Sequence, residues 1–314
     1  MWAEYGRRSP STASYGQDAH ATFFSHRRGY GLQQRGVSSS NFNVAAVQMV
    51  FERTIEGNVS QIVQSIVSAA KDGADAILFP ECAVTGYAVD FRSVDWRLIN
   101  AALASIAWAA RKARCNVLIG CPTFAGEKLF NSLLVFDRRG REVFRYSKIH
   151  LTPGDARVFS RGNKLAFFHL DGIPCTAIIC HERRYPELVR LPVMMGAQIL
   201  FHPNAGLDAL AVSKAKRGGR DGIAARAFEN QIYYVFANSV GPQGKGRWSA
   251  GDSKIVAPDS RVLALADNRK PGIISAKLDL SAAGRKYALE ALAEPVFLRK
   301  HWKSMLAACR KQLK

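Results

Sequence analysis

The chain has 314 residues, of which 48% are hydrophobic and 22% are charged, as expected of a globular protein long enough to bury a substantial core. Six irregularly spaced cysteines without a Cys-x-x-Cys pair argue against a disulfide framework or a zinc site, and no apolar run reaches the roughly 20 residues of a membrane span. The net charge of +19 is compatible with nucleic acid, an acidic surface or an anionic ligand. Because no zinc-finger, RNA-recognition or helix-turn-helix pattern is present, we expect a solvated basic surface and no nucleic-acid partner.

Three regions are predicted along the chain. Residues 1–42 are rich in Ser, Gly, Arg and Tyr without apolar periodicity, which predicts a disordered extension. An organellar presequence and an upstream start of translation are alternatives for it. Residues 43–284 form the predicted folded domain, and residues 285–314 a basic tail that we expect to be helical and packed on the domain or on a partner subunit. The cysteine usage fits a reducing compartment, so we expect a cytoplasmic protein.

The first part of the domain alternates apolar strands with helices of 3.6-residue periodicity. In order, these strands and helices are predicted at 43–49, 58–70, 74–79, 95–114 and 116–120. Strands that alternate with helices are typical of an α/β protein with a layered sheet.

Two hairpins interrupt this alternation. Arg138-Arg139-Gly140 separates one pair of apolar runs, and Asp171-Gly172 separates another that ends at Cys180. The remaining predicted elements are helices at 186–195 and 214–230 and strands at 198–202, 233–238, 253–257 and 273–277. Hairpins mixed with helices indicate two packed sheets with helices outside.

Three reactive side chains follow predicted strands. Glu81 ends Leu78-Phe79-Pro80-Glu81, Lys148 follows the first hairpin, and Cys180 ends an apolar run. Ligands bind at the carboxyl ends of such strands. A thiol there, close to a helix N-terminus, is expected to have a pKa lowered toward the thiolate. A carboxylate, an ammonium and a thiol together suit acyl transfer, although each alone is compatible with a purely structural role.

A cysteine–histidine pair is the alternative way to activate the thiol. His181 is adjacent to Cys180, and adjacent side chains at a strand end point apart. Only His150 and His202 remain, and neither lies in a protease motif. We therefore expect His150 to support a loop, and His202 to line the pocket together with Asn204 and with Tyr87, which lies in the segment after Glu81. The cysteines without such a context are taken as structural, namely Cys82, Cys121, Cys175 and Cys309.

Three motifs occur in a fixed order along the chain. They are Phe79-Pro80-Glu81, Lys148-Ile149-His150-Leu151, and Cys180 followed by Glu182, Arg184, Pro186 and Glu187. The segments 226–231 and 251–258 extend the pattern. With these motifs, the chain from about residue 43 to residue 280 resembles the nitrilase or carbon–nitrogen hydrolase superfamily.

The resemblance implies a four-layer αββα sandwich that acts without a metal or an organic cofactor. In this sequence it makes Glu81 the general base, Lys148 the group that stabilises the tetrahedral intermediate, and Cys180 the nucleophile. It also implies a homodimer or larger homo-oligomer, with the helix that begins at Tyr185 as the candidate contact surface.

One position departs from the superfamily pattern. Asp155 stands where many members have a second glutamate, and its side chain is one methylene shorter. We expect Asp155 either to act through a water molecule or only to position Lys148. The alternative is that Asp155 is simply a turn residue after Pro153-Gly154.

The residues after Cys180 bear on the substrate. Arg184 is common across the superfamily, with a structural role as the alternative, whereas Arg183 resembles the arginine with which N-carbamoyl amino acid hydrolases bind the substrate carboxylate. The alternative is that Arg183 pairs with Glu182 or Glu187. Our hypothesis is an amide or N-carbamoyl substrate with an anionic group. Nitrile hydrolysis and a non-catalytic binding protein are the alternatives.

Overall fold

The computed structural model of the protein describes residues 41–87, 89–216 and 222–313. The predicted disordered extension falls outside these residues except for its last two positions. Asn41 and Phe42 belong to the first strand, so this strand begins two residues before its predicted start.

Fourteen strands lie within the described residues. They are β1 (Asn41–Gln48), β2 (Ala76–Leu78), β3 (Asn116–Ala125), β4 (Lys128–Phe136), β5 (Glu142–Ser147), β6 (Phe168–Leu170), β7 (Ile173–Ala177), β8 (Ile199–Asn204), β9 (Tyr233–Asn238), β10 (Val240–Pro242), β11 (Trp248–Ala250), β12 (Lys254–Val256), β13 (Val262–Leu265) and β14 (Gly272–Asp279). Twelve of them form two six-stranded sheets, ordered β14-β1-β2-β3-β4-β5 and β13-β12-β9-β8-β7-β6. In each sheet three neighbouring strands are parallel, and antiparallel strands flank them on both sides.

The helices of the described residues are α1 (Ile55–Lys71), α2 (Trp96–Ala113), α3 (Glu187–Met195), α4 (Leu210–Lys216), α5 (Ile223–Asn230), α6 (Lys286–Ala293) and α7 (Val296–Gln312). The single helix predicted at 214–230 is wrong, because α4 ends at Lys216 and α5 begins at Ile223, and residues 217–221 lie outside the described part. Gly222 has a φ of +72° and is left-handed, which an α-helix does not accommodate. No helix of the described part is long and apolar enough to cross a membrane.

Successive side chains of a strand point to opposite faces of its sheet, so each sheet packs against a different layer on each face. Val44 and Ala46 of β1 face the second sheet and pack with residues such as Phe201 and Val235. The intervening Ala45 packs against the helices α1 and α2. On the other side, α3, α5, α6 and α7 cover the second sheet. The order helix, sheet, sheet, helix confirms the predicted αββα sandwich.

The basic C-terminal segment packs on this outer helical layer. Leu306 of α7 is buried, and Trp302 is partly buried beside it, in the same apolar cluster as Val189 and Val193 of α3. The four-residue spacing of Trp302 and Leu306 places both on one face of the helix.

Candidate active site

A cavity of about 460 Å³ opens at the carboxyl ends of strands from both sheets. Glu81 lies three residues beyond the end of β2 (81 − 78), and Cys180 three residues beyond the end of β7 (180 − 177). Of the nine predicted site residues, eight line this cavity, and they are Glu81, Tyr87, Lys148, Asp155, Cys180, Arg183, Arg184 and Asn204. The fold therefore brings together residues from distant segments.

Glu81 is almost fully buried, and both of its carboxylate oxygens are bonded. Oε1 accepts hydrogen bonds from Lys148 Nζ at 2.7 Å and from Asn131 Nδ2 at 2.8 Å. Oε2 accepts one from the backbone N–H of Ala205 at 3.1 Å. Three donors from three segments thus fix the orientation of the carboxylate.

Lys148 follows β5, and its side chain is 1% exposed. Its Nζ lies 2.7 Å from Glu81 Oε1 and 2.8 Å from Asp155 Oδ2. Burial by itself lowers the pKa of an ammonium, but the charges of Glu81, Cys180 and Asp155 outweigh burial and raise the pKa of Lys148 well above its usual value. The lysine is therefore a permanent positive charge at the floor of the cavity.

Asp155 opens a short 3₁₀ turn, Asp155–Arg157. Its backbone N–H donates to Thr152 Oγ1 at 3.1 Å, and its carboxylate contacts Lys148 directly. The contact between Asp155 and Lys148 is direct, so it needs no intervening water. Of the expectations for this residue, the structure favours the positioning of Lys148.

Cys180 begins a 3₁₀ helix, Cys180–Arg184, with a left-handed φ of +51° that is unusual for a residue other than glycine. Its thiol lines the same cavity as Glu81 and Lys148, and the charges of both residues act on it. Burial, followed by the charge of Glu81, raises the pKa of Cys180 to about 12, although Lys148 opposes this. The predicted lowering of this pKa is therefore wrong. No α-helix begins at Cys180, because α3 starts only at Glu187. The charges of Glu81 and Asp155 also raise the pKa of the thiol.

His202 does not line the cavity, contrary to prediction. Its side chain is fully buried behind Cys180. Nε2 lies 3.0 Å from the carbonyl oxygen of Cys180, and Nδ1 lies 2.8 Å from the hydroxyl of Tyr234. The predicted strand stops at residue 202, whereas β8 continues to Asn204, which lines the cavity from the carboxyl end of the strand.

Arg183 lines the cavity and is not paired with any acidic side chain of the described residues. Glu182 is buried and accepts hydrogen bonds from Tyr146 and from the backbone N–H groups of Ile149 and Ile179, so it is not available to Arg183. No carboxylate within residues 41–87, 89–216 and 222–313 forms an ion pair with the Arg183 guanidinium. The predicted alternative, a pair between Arg183 and Glu187, is therefore not formed. The neighbouring Arg184 contacts His181 Nδ1 at 3.1 Å.

Asn131 is a site residue that the sequence reasoning missed. It is fully buried within β4, and besides Glu81 it contacts the hydroxyl of Tyr87 at 2.9 Å. The only sequence signal was an amide side chain two residues before an apolar run that begins at Leu133. The sequence reasoning also missed four charged residues of the cavity lining, namely Asp208, Lys245, Arg247 and Asp252.

No group of three or more His, Cys, Asp or Glu in the described part of the chain is arranged to hold a metal ion. The three cysteines at positions 82, 121 and 175 are fully buried, as a structural role requires, and Cys309 is partly exposed.

Comparison with known proteins identifies the family of the chain. The family model described as carbon–nitrogen hydrolase matches residues 43–287. Among curated relatives, the "hydrolase in pqqF 5′ region" of Pseudomonas protegens is 30% identical over 245 residues, 75% of this chain and 81% of that protein. The 2-oxoglutaramate amidase of Bacillus subtilis is 29% identical over 217 residues, 66% of this chain and 79% of the relative.

Solved structures agree at the level of the fold. A mutant of the amidase from Nesterenkonia AN1, of the nitrilase superfamily, superposes with a TM-score of 0.71 at 23% identity, covering 87% of this chain and 100% of the amidase. The chain belongs to the carbon–nitrogen hydrolase family, and it is an enzyme of that family.

Proposed function

We propose that the protein hydrolyses amide or N-carbamoyl compounds that carry an anionic group, through a thioester on Cys180. The observation that carries this proposal is the buried network of Glu81, Lys148 and Asp155, which lines the same cavity as Cys180. A base, a fixed positive charge and a nucleophile are the groups that acyl transfer needs.

In the first half of the proposed reaction, Cys180 Sγ attacks the carbonyl carbon while Glu81 takes the thiol proton. The oxygen becomes negatively charged in the tetrahedral intermediate, and the ammonium of Lys148 stabilises it electrostatically. Glu81 then returns the proton to the nitrogen, the C–N bond breaks, and the amine or ammonia leaves a thioester on Cys180. Glu81 is suited to both transfers because its oxygens are held in place by Lys148, Asn131 and Ala205.

In the second half, Glu81 takes a proton from a water that attacks the thioester carbon. The C–S bond breaks, the acid product forms, and the proton returns to the sulfur. Both halves use one carboxylate as base and then acid, and the charge on Lys148 is unchanged throughout. Asp155 keeps Lys148 in place in this scheme through its direct contact.

The position of Arg183 favours a substrate that carries an anionic group. Its guanidinium lines the cavity without a carboxylate partner in the described part of the chain, and arginine binds carboxylates with a bidentate geometry. The Bacillus subtilis relative is named for 2-oxoglutaramate, a compound with an amide at one end and a carboxylate at the other. We propose the same combination for this protein, with the scissile C–N bond at Cys180 and the carboxylate at Arg183.

The purified protein tests the reaction class. We expect ammonia release from a carboxylate-bearing amide or an N-carbamoyl amino acid, less from a neutral aliphatic amide, and none from these substrates after Cys180→Ala. Preferential turnover of a nitrile would instead assign the nitrilase reaction. Tight substrate binding without turnover, and without substrate protection against thiol alkylation, would favour a binding protein on this fold.

Substitution of Arg183 tests the substrate class. We expect Arg183→Ala to raise KM for the carboxylate-bearing substrate about 10- to 100-fold, because a charged hydrogen bond contributes about 1.5–3 kcal/mol. Arg97→Ala is the control, since this exposed arginine at the start of α2 does not line the cavity. For neutral amides we expect Arg183→Ala to change KM little. Equal effects of Arg183→Ala on neutral and anionic substrates would remove the argument for an anionic substrate.

Assembly and location complete the proposal. We propose a homodimer or larger homo-oligomer that uses the surface of the helices after Cys180, including α3, and a cytoplasmic location for a protein with reduced cysteines. The exposed Phe228 of α5 and Tyr287 of α6 contact each other on this outer helical layer and provide apolar area for such a contact.

A further inference from the structure

The residue behind the proposed nucleophile is a fully buried histidine. His202 is 0% exposed, and its ring packs against Phe236 on the neighbouring strand. Both ring nitrogens have polar partners, with Nε2 at 3.0 Å from the Cys180 carbonyl oxygen and Nδ1 at 2.8 Å from the Tyr234 hydroxyl. The mechanism proposed above uses neither His202 nor Tyr234.

The two contacts define where the protons lie. A carbonyl oxygen can only accept, so Nε2 must carry the proton that is donated to Cys180. Nδ1 is then the acceptor in a neutral ring, and the Tyr234 hydroxyl donates to it. Burial, with the positive charges of Arg183 and Lys148, lowers the pKa of His202 well below its usual value, which favours this neutral form.

The carbonyl that accepts from His202 belongs to a residue in a rare backbone conformation. Cys180 has a φ of +51°, and L-residues other than glycine, asparagine and aspartate seldom remain in this region unless surrounding contacts hold them there. The orientation of the peptide on the C-terminal side of Cys180 is coupled to this conformation, and it is this peptide whose oxygen His202 holds. The direction of the thiol relative to Glu81 depends on the same backbone.

We propose that His202, fixed by Tyr234, is a positioning residue that holds the Cys180 backbone in its left-handed conformation and aims the thiol at Glu81. The chain of contacts runs from Cys180, which follows β7, to His202 of β8 and Tyr234 of β9, and these three strands are adjacent and parallel. The role rests on the proposed function of Cys180. It differs from the substrate-binding role expected from the sequence, because His202 does not reach the cavity.

A matched pair of variants tests this role. The amide nitrogen of a glutamine can take the place of Nε2, whereas that of an asparagine, one methylene shorter, can take only the place of Nδ1. We therefore compare His202→Gln with His202→Asn, and add Tyr234→Phe, which removes one buried hydroxyl. The readouts are kcat and KM for the best substrate and the rate at which iodoacetamide alkylates Cys180, followed by mass spectrometry at neutral pH.

We expect His202→Asn to slow both alkylation and kcat about 10- to 100-fold while KM stays close to wild type, because a misdirected reactive group loses rate rather than binding. His202→Gln should recover most of the rate. Tyr234→Phe should slow both reactions by an intermediate factor, and it carries the test if His202→Asn does not fold. Equal slowing by Gln and Asn, or unchanged alkylation in Tyr234→Phe, would overturn the proposal. Absence of Cys180 alkylation in the wild-type protein would overturn the proposed function as well, so the two failures are distinguishable.

Discussion

Replacement of Glu81 by glutamine is expected to reduce kcat about 10²- to 10⁴-fold at neutral pH, since this is the usual contribution of a general base. The pKa of the Cys180 thiol is about 12, so only about one thiol in 10⁵ is ionised at pH 7 without a base to take its proton. A glutamine keeps the shape of the side chain but cannot accept that proton. The measurement is kcat for whichever of the amide, N-carbamoyl and nitrile substrates is turned over fastest, with the melting temperature of each variant.

The pH dependence distinguishes loss of the base from loss of structure. Burial, the largest cause of the raised thiol pKa, remains in the Glu81→Gln variant, so its residual activity should rise with pH by up to about tenfold per unit as thiolate forms. The wild-type protein should lack this steep rise around neutral pH. Glu187→Gln on the exposed surface of α3 is the matched control. Full activity of Glu81→Gln at neutral pH, abolished by Cys180→Ala, would mean that another group is the base.

Local sequence patterns were sufficient to predict most of the fold. The apolar runs and hairpin turns predicted two sheets between helices, and the structure confirms this arrangement. The reactive residues were visible because Glu81, Lys148 and Cys180 each follow a strand, and strand ends of an α/β fold converge. The error at 214–230 has a local cause too, since helical periodicity was followed across Gly222, whose left-handed φ does not fit an α-helix.

Sequence patterns could not predict the polar contacts around the cavity. Asn131 lies 50 residues from Glu81, and the Ala205 N–H that completes the carboxylate's contacts lies 124 residues away. Neither pairing leaves a periodic or compositional trace. The same holds for His202, whose strand position was nearly right but whose ring contacts the backbone of Cys180 instead of the cavity.

The wrong expectation for the thiol pKa has a different physical origin. A position before a charged segment suggested a helix N-terminus, which lowers the pKa of a thiol. The segment folds as a 3₁₀ turn, and the burial of Cys180 near Glu81 acts in the opposite direction. The balance between burial and neighbouring charges is a property of the assembled site, so a mechanism based on the sequence would have started from a thiolate instead of a neutral thiol.

Replacement of Lys148 by methionine is expected to reduce activity and stability together. Methionine is similar in length but lacks the charge, and it leaves the carboxylates of Glu81 and Asp155 buried without the ammonium between them. Breaking a buried ion pair by removing one partner typically costs about 3–5 kcal/mol. The loss of positive charge at the developing oxyanion should reduce kcat about 10²- to 10³-fold. Chemical denaturation and steady-state kinetics measure the two effects.

A second substitution separates these effects. Asp155→Asn in the Lys148→Met background removes one of the two uncompensated carboxylates, so the double variant should recover part of the free energy of unfolding. It should not recover kcat, because the positive charge at the oxyanion is still absent. If Asp155→Asn restored both stability and kcat, the low activity of Lys148→Met would be a consequence of misfolding. If Lys148→Met alone kept the wild-type kcat, the lysine would have no electrostatic role in the reaction.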